Sequence, residues 1–163
     1  MVTTHTPRLL ESPLFVASFT VPGKPVGKQR PRVTRGGTRT YTPRATRDFE
    51  RAVSLAAMAA GIRGVTSPVA LHVVAVFPRP KRRPSHVPPE LWGDGWVRRA
   101  VDMDGDNVLK AVADGLQRGV SGVPAPIRDD SQVVEAHVAT VYAAAGKGPR
   151  VEVGVEWEDN RAR

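Results

Sequence analysis

The stretch from 102 to 116, DMDGDNVLKAVADGL, begins with three aspartates at alternate positions, Asp102, Asp104 and Asp106. Carboxylates crowded in this way repel one another unless a cation neutralises them. A second acidic pair, Asp129 and Asp130, precedes a run that begins SQVV. Hard cations such as Mg²⁺ bind a few carboxylate oxygens and leave other positions to water and substrate phosphate. The two acidic groups therefore indicate a site for metal-assisted phosphate hydrolysis, in which the metal activates water.

Lys110 lies four residues after Asp106 and four residues before Asp114. At a metal site, this lysine would add a fixed positive charge to the developing oxyanion. The same spacing is also typical of an exposed ladder of helix ion pairs. An aspartate before a helix is, in addition, a common cap. Capping explains one of the clustered acids but not all of them, and both interpretations of Lys110 remain open.

A calcium-binding loop is the alternative that the start of this stretch favours, because DMDGDN alternates aspartates as an EF-hand does. An EF-hand also requires glycine at its sixth position and a bidentate glutamate at its twelfth. Counted from Asp102, those positions hold Asn107 and Ala113. The pattern therefore excludes an EF-hand.

The elements that must position these residues follow from hydrophobic periodicity. Strands are predicted at 14–21, 68–77, 131–142 and 149–157, with the apolar run at 68–77 in the centre of the sheet. Helices are predicted at 44–61, with Thr42 as its cap, and at 107–117. We expect a single α/β (α+β) domain over 1–163, with a mixed sheet flanked by two helices and with flexible tails at 1–13 and 158–163.

Positive charge is concentrated in two places outside the acidic groups. The formal net charge is +8, and residues 22–51 carry nine Lys or Arg against two acids. A glycine- and proline-rich basic arm contains Lys24, Lys28, Arg30, Arg32, Arg35 and Arg39. A long proline-rich loop from 78 to 99 adds Lys81, Arg82 and Arg83. Both sets are predicted to neutralise nucleic-acid phosphates without reading sequence, with a solvated charged loop as the alternative.

Composition narrows the class of protein further. The chain has no cysteine, which rules out a disulfide framework and a thiolate zinc site. No apolar run approaches the roughly 18–20 residues of a membrane span. The N-terminal residues show no apolar segment behind a basic start, so a secretory signal is not expected. We therefore expect a cytoplasmic location.

The combined motifs DGDNVLKAVADGL and DDSQVV resemble those of the RusA family of Holliday junction resolvases from bacteria and their phages. The matching residues are Asp104, Asp106, Asn107, Lys110, Asp114, Leu116, Asp129, Asp130, Ser131, Gln132 and Val133. The segments PGKPVGKQRPRV and YTPRATRDFE resemble the basic opening and first helix of that family. One departure is the segment QRGVSGVPAPIR (117–128), which is longer than the compact family version.

The resemblance implies a small homodimeric nuclease that cuts four-way DNA junctions in recombination and repair with Mg²⁺ or Mn²⁺. By position, it implies that Asp104, Asp106 and Asp130 are the metal-binding and catalytic acids and that Lys110 is the essential lysine. Asp129 is adjacent and could assist, but it ranks below Asp130 as a candidate for a catalytic, metal-binding acid. Two other hypotheses stay open: a non-catalytic DNA-binding accessory protein, and a nuclease for other branched DNA such as flaps.

Overall fold

The structure is a computed structural model that describes residues 14–30, 32–33, 36–37, 40–95, 97–98 and 105–158. In chain order, its elements are β1 (Leu14–Pro22), β2 (Arg32–Val33), β3 (Thr40–Tyr41), α1 (Arg44–Ala59), β4 (Val69–Phe77), β5 (Val97–Arg98), α2 (Gly105–Leu116), β6 (Val133–Tyr142) and β7 (Arg150–Glu158). The expected α+β class is confirmed: four long strands form one mixed sheet that packs against two helices.

The main sheet has the strand order β1-β7-β4-β6-β5. β4 is central and pairs in parallel with β6 and antiparallel with β7, as its nearly continuous apolar sequence predicts. β2 and β3 form a separate two-stranded hairpin within the basic arm. Within the described residues, the short β5 pairs with Val141 and Tyr142, near the end of β6.

Both helices contribute to one hydrophobic core on the same side of the sheet. Val53 and Ala57 of α1 and Val112 of α2 are fully buried there with Leu71 of β4. The helices approach each other closely at Gly115, where a Cβ atom would lie 2.7 Å from Cβ of Val53. Only glycine allows this approach, which fixes how α2 lies on the sheet.

The observed helix and strand ends differ slightly from those predicted. The prediction of a Thr42 cap is wrong: α1 begins at Arg44 after Pro43, with no side-chain cap. It ends at Ala59, and Gly61 then takes a positive φ of 87°. β7 continues to Glu158, one residue into the expected tail. The other tail residues, 1–13 and 159–163, lie outside the described part of the chain.

The proline-rich loop after β4 is anchored to the body of the domain. The Arg79 guanidinium lies 4.0 Å from the ring centroid of Trp92, and Trp92 packs edge-on against Tyr142. Arg79 also donates a hydrogen bond of 3.3 Å to the carbonyl oxygen of Ala143. Trp92 therefore serves to hold the loop against its own core. In the described ranges, no helix is long and apolar enough to cross a membrane.

Candidate active site

α2 presents Asp106, in its first turn, and Lys110, one turn later, to solvent. Gly105 packs the first turn against β6, since a Cβ on Gly105 would lie 3.2 Å from a methyl group of Val138. The side chains of Asp106 and Lys110 are 60% and 64% exposed, and Lys110 Nζ donates to Asp106 Oδ2 at 3.2 Å. An exposed helix ion pair of this kind contributes less than about 1 kcal/mol. Lys110 can therefore leave Asp106 for a substrate phosphate at little cost.

The expected ion-pair ladder is only half present. Asp114 does not pair with Lys110 and instead forms an ion pair with Lys28 of the basic arm. The Lys28 backbone N–H also donates to the carbonyl oxygen of Asn107 at 2.8 Å. Lys28 is one of the predicted DNA contacts; its side chain is 31% exposed, and its ion pairs with Asp114 and Glu50 fasten the basic arm along α2.

Glu50 is the centre of this network, and the sequence reasoning missed it. Its side chain is 2% exposed and lies 2.8 Å from Lys28 Nζ and 3.0 Å from Arg118 Nε. Burial of the Lys28 ammonium lowers its pKa, but the hydrogen bonds and charges of Asp114 and Glu50 outweigh this effect and raise the pKa of Lys28 above 10.5. The position of Glu50 in the sequence could have indicated its burial, because it lies three residues before Val53 and seven before Ala57, on the buried side of α1.

The second acidic pair forms a tightly bonded turn before β6. Asp129 Oδ1 accepts a hydrogen bond from the Ser131 backbone N–H at 2.9 Å and caps a 3-10 turn over Asp130–Gln132. Gln132 Oε1 accepts from the Asp129 N–H, and Gln132 Nε2 donates to the carbonyl of Ser67. The hydrogen bonds from Ser131, its side chain first, lower the pKa of Asp129 below 3.8. Asp129 thus caps this turn, and both Asp129 and Asp130 are exposed.

The two acidic groups lie at opposite ends of α2. The Ile127 N–H donates to the carbonyl of Leu116 at 3.1 Å, so Asp130 lies near the last turn of the helix. Asp106 lies in the first turn, about 15 Å of helix away. Accordingly, no three histidine, aspartate or glutamate side chains of the described ranges are grouped closely enough to hold a metal ion. Asp102 and Asp104 fall outside those ranges.

The remaining basic residues are placed as follows. Lys24, Arg30, Lys81, Arg82 and Arg83 are exposed. Arg83 donates to the carbonyl oxygen of Val87, within its own loop. Arg32 lies in β2, where only the backbone is described, and Arg35 and Arg39 lie outside the described residues. The exposed members lie on two segments, the basic arm and the proline-rich loop.

Comparison with known proteins assigns the chain to a family. The family model described as "Endodeoxyribonuclease RusA" matches residues 22–156 of the 163-residue chain. No curated protein matches the chain at a significant level. The match includes the basic arm, both helices, the Asp106–Lys110 pair and the turn that contains Asp130. The chain belongs to the RusA family of endodeoxyribonucleases, hydrolases that cut DNA.

Proposed function

We propose that this protein is a magnesium-dependent homodimeric nuclease that resolves four-way DNA junctions in recombination and repair, within a bacterial or phage-infected cell. The observation that carries the proposal is the exposed Asp106–Lys110 pair in the first two turns of α2, in a chain of the RusA family. Exposed lysines and arginines on the basic arm and the proline-rich loop supply the charge that attracts DNA.

The donor chemistry at the first turn of α2 fits Mg²⁺. Asp106 offers carboxylate oxygens at an exposed position, and we propose Asp104 and Asp130 as the further ligands. Bound Mg²⁺, or Mn²⁺ in its place, would supply Lewis acidity that activates water and neutralises phosphate charge. Lys110 would turn from Asp106 to a non-bridging phosphate oxygen and stabilise the charge that develops there. Asp129 would hold the turn that aims Asp130.

Because Asp106 and Asp130 lie at opposite ends of α2, we infer that a second copy of the chain completes each site. The surface of β6 supports this inference. Both faces of β6 are exposed from Val134 to Ala139, with Val134 at 70% and Val138 at 38% exposure. Apolar side chains exposed on a strand beside the central β4 favour an interface with another protein chain.

The direction of β6 makes a two-fold arrangement suitable. α2 begins beside Val138, just past the middle of β6, and Asp130 lies just before β6 begins. If two copies of β6 run antiparallel about a two-fold axis near Val134, Asp130 of one copy lies opposite Val138 of the other. The partner's Asp130 would then approach Asp106. Two such sites, related by symmetry, suit paired cuts in a four-way junction.

Cleavage of a synthetic four-way junction with Mg²⁺ tests the proposed activity. We expect paired symmetric cuts by the wild type, and loss of cleavage with retained binding in Asp106→Asn. The matched control is Asp48→Asn, which removes an exposed, ion-paired helix acid on α1. Binding without cleavage by the wild type, with Mg²⁺ or Mn²⁺, would instead favour the accessory-protein hypothesis. Faster cleavage of flaps than of junctions would favour the hypothesis of a nuclease for other branched DNA.

Mixing two inactive variants tests the shared site. In a heterodimer of Asp106→Asn and Asp130→Asn subunits, one composite site has both aspartates and the other has neither. With random exchange of subunits, half of the dimers are mixed, so about a quarter of the sites are intact. We expect cleavage to reappear in the mixture although each variant alone is inactive. No recovery after confirmed subunit exchange would show that each site uses acids of one chain.

A further inference from the structure

A pocket lined by two arginines lies at the end of α2 that is far from Asp106. This pocket, of about 280 Å³, opens between α1 and the segment that follows α2. Its lining is Arg51, Ser54, Arg118, Gly119, Val120 and Ser121. Arg118 to Ser121 belong to the 117–128 segment that follows α2. None of these residues is among the predicted DNA contacts.

The pocket is held in place by the body of the domain. The hydroxyl of Ser54, fully buried on α1, donates to the carbonyl oxygen of Arg118. The segment then makes a turn in which the Val123 N–H donates to the Val120 carbonyl at 2.7 Å, and Gly122 takes a φ of 76°. This turn presents Ser121 to the pocket. Its wall is therefore formed before any ligand arrives.

The polar groups of the pocket suit an anion. Arg51 is exposed and forms no ion pair or side-chain hydrogen bond with any other described residue. Arg118 uses Nε for its contact with Glu50, which leaves the outer guanidinium nitrogens available. The carboxylate of Glu50 is also neutralised by Lys28. Two arginines and the Ser121 hydroxyl thus offer donors with positive charge in excess.

We propose that this pocket binds a phosphodiester group of the DNA backbone away from the cut. This inference rests on the proposed nuclease function. The length of α2, about 18 Å, separates the pocket from the first turn of that helix. At about 3.4 Å per phosphate along one strand, this span corresponds to about five nucleotides. The pocket would therefore hold DNA that flanks the phosphate cut beside Asp106 of the same chain.

The salt dependence of junction binding by the full-length protein tests the pocket. Each phosphate that a protein neutralises contributes about 0.9 to the slope of log K against log [salt] for duplex DNA. We expect Arg51→Ala to reduce the slope by about that amount and to weaken binding severalfold at low salt. Arg51→Lys should keep the slope, since the charge remains.

Two comparisons make the result decisive. Arg63→Ala removes an exposed arginine outside the pocket whose Nε already donates to the Met58 carbonyl, and it should leave the slope unchanged. An Arg51→Ala slope equal to that of the wild type, or an equal loss in Arg63→Ala, would overturn the pocket proposal. A wild type that binds junctions but never cuts them would overturn the proposed function instead, and the slope of Arg51→Ala would still decide the pocket.

Discussion

Replacement of Gly115 by alanine tests the contact that positions α2. In a helix, alanine is normally more favourable than glycine by about 0.8–1.0 kcal/mol. Here the new Cβ would lie 2.7 Å from the Val53 Cβ and 2.8 Å from the Glu50 carbonyl oxygen. Neither atom is the end of a flexible side chain, so the helices must separate, and overpacking of this kind costs about 1–3 kcal/mol.

Because the clash involves backbone, we take the upper part of that range and expect a net loss of about 2 kcal/mol after the gain in helix propensity. For a domain of this size, the loss corresponds to a fall in Tm of about 4–8 °C. Thermal unfolding followed by calorimetry or circular dichroism measures this fall. A separation of the helices also shifts Asp106, so we expect slower junction cleavage by the folded variant.

The matched control is Gly148→Ala, because a Cβ at Gly148 would meet no atom within 4 Å and its φ is not in the left-handed region. Its Tm should stay within about 1–2 °C of the wild type. A Tm of Gly115→Ala equal to or above that of the wild type would refute the reasoning. It would mean that α1 and α2 can move apart without loss of packing.

Three further predictions concern the ion network, the capped turn and β6. The raised pKa of Lys28 means that its contribution to stability is complete below pH 10.5 and is lost as the pH rises through the higher folded value. Lys28→Met should therefore lower the free energy of unfolding at pH 7 by about 1–3 kcal/mol. In this variant Tm should also fall less steeply above pH 10.5 than in the wild type. An unchanged Tm at pH 7 would contradict this prediction. The lowered pKa of Asp129 means that its contribution is present above pH 3.8 and is lost as the pH falls through the lower folded value. Asp129→Asn keeps a capping oxygen, so it should preserve the fold and weaken the pH dependence of Tm between pH 5 and 2.5. The same fall in Tm at acidic pH in the wild type and in this variant would contradict the stabilising role of the Asp129 carboxylate. Val134→Glu places a charge on the exposed half of β6 and should shift the protein to monomers in sedimentation experiments, with loss of cleavage; an active monomer would disprove the shared site.

Much of the architecture followed from local patterns. The apolar run at 68–77 predicted the central strand β4 because a strand covered on both sides needs few polar residues. The apolar faces of α1 and α2 were recognisable because their apolar residues recur at the period of an α-helix. The incorrect prediction of a Thr42 cap shows the limit of such signals, since Thr42 and Pro43 both lie close to the first helical turn and only backbone geometry decides where it begins.

The sequence by itself determined the chemical groups of the candidate site and the family. Residue types and short spacings suffice for this, because Asp106 and Lys110 lie one helical turn apart in any α-helix. The turn at Asp129–Gln132 is equally local, since all of its capping bonds join residues within four positions.

Only the tertiary structure decided which distant groups meet. Lys28 pairs with Glu50 and Asp114, which are 22 and 86 positions away, and no local pattern specifies such a contact. The separation of Asp106 from Asp130 depends on the direction in which α2 crosses β6. The pocket of Arg51 and Arg118 likewise exists because Ser54 fixes the segment after α2. These arrangements arise from packing between elements, which joins residues remote in the chain and therefore leaves little trace in spacing.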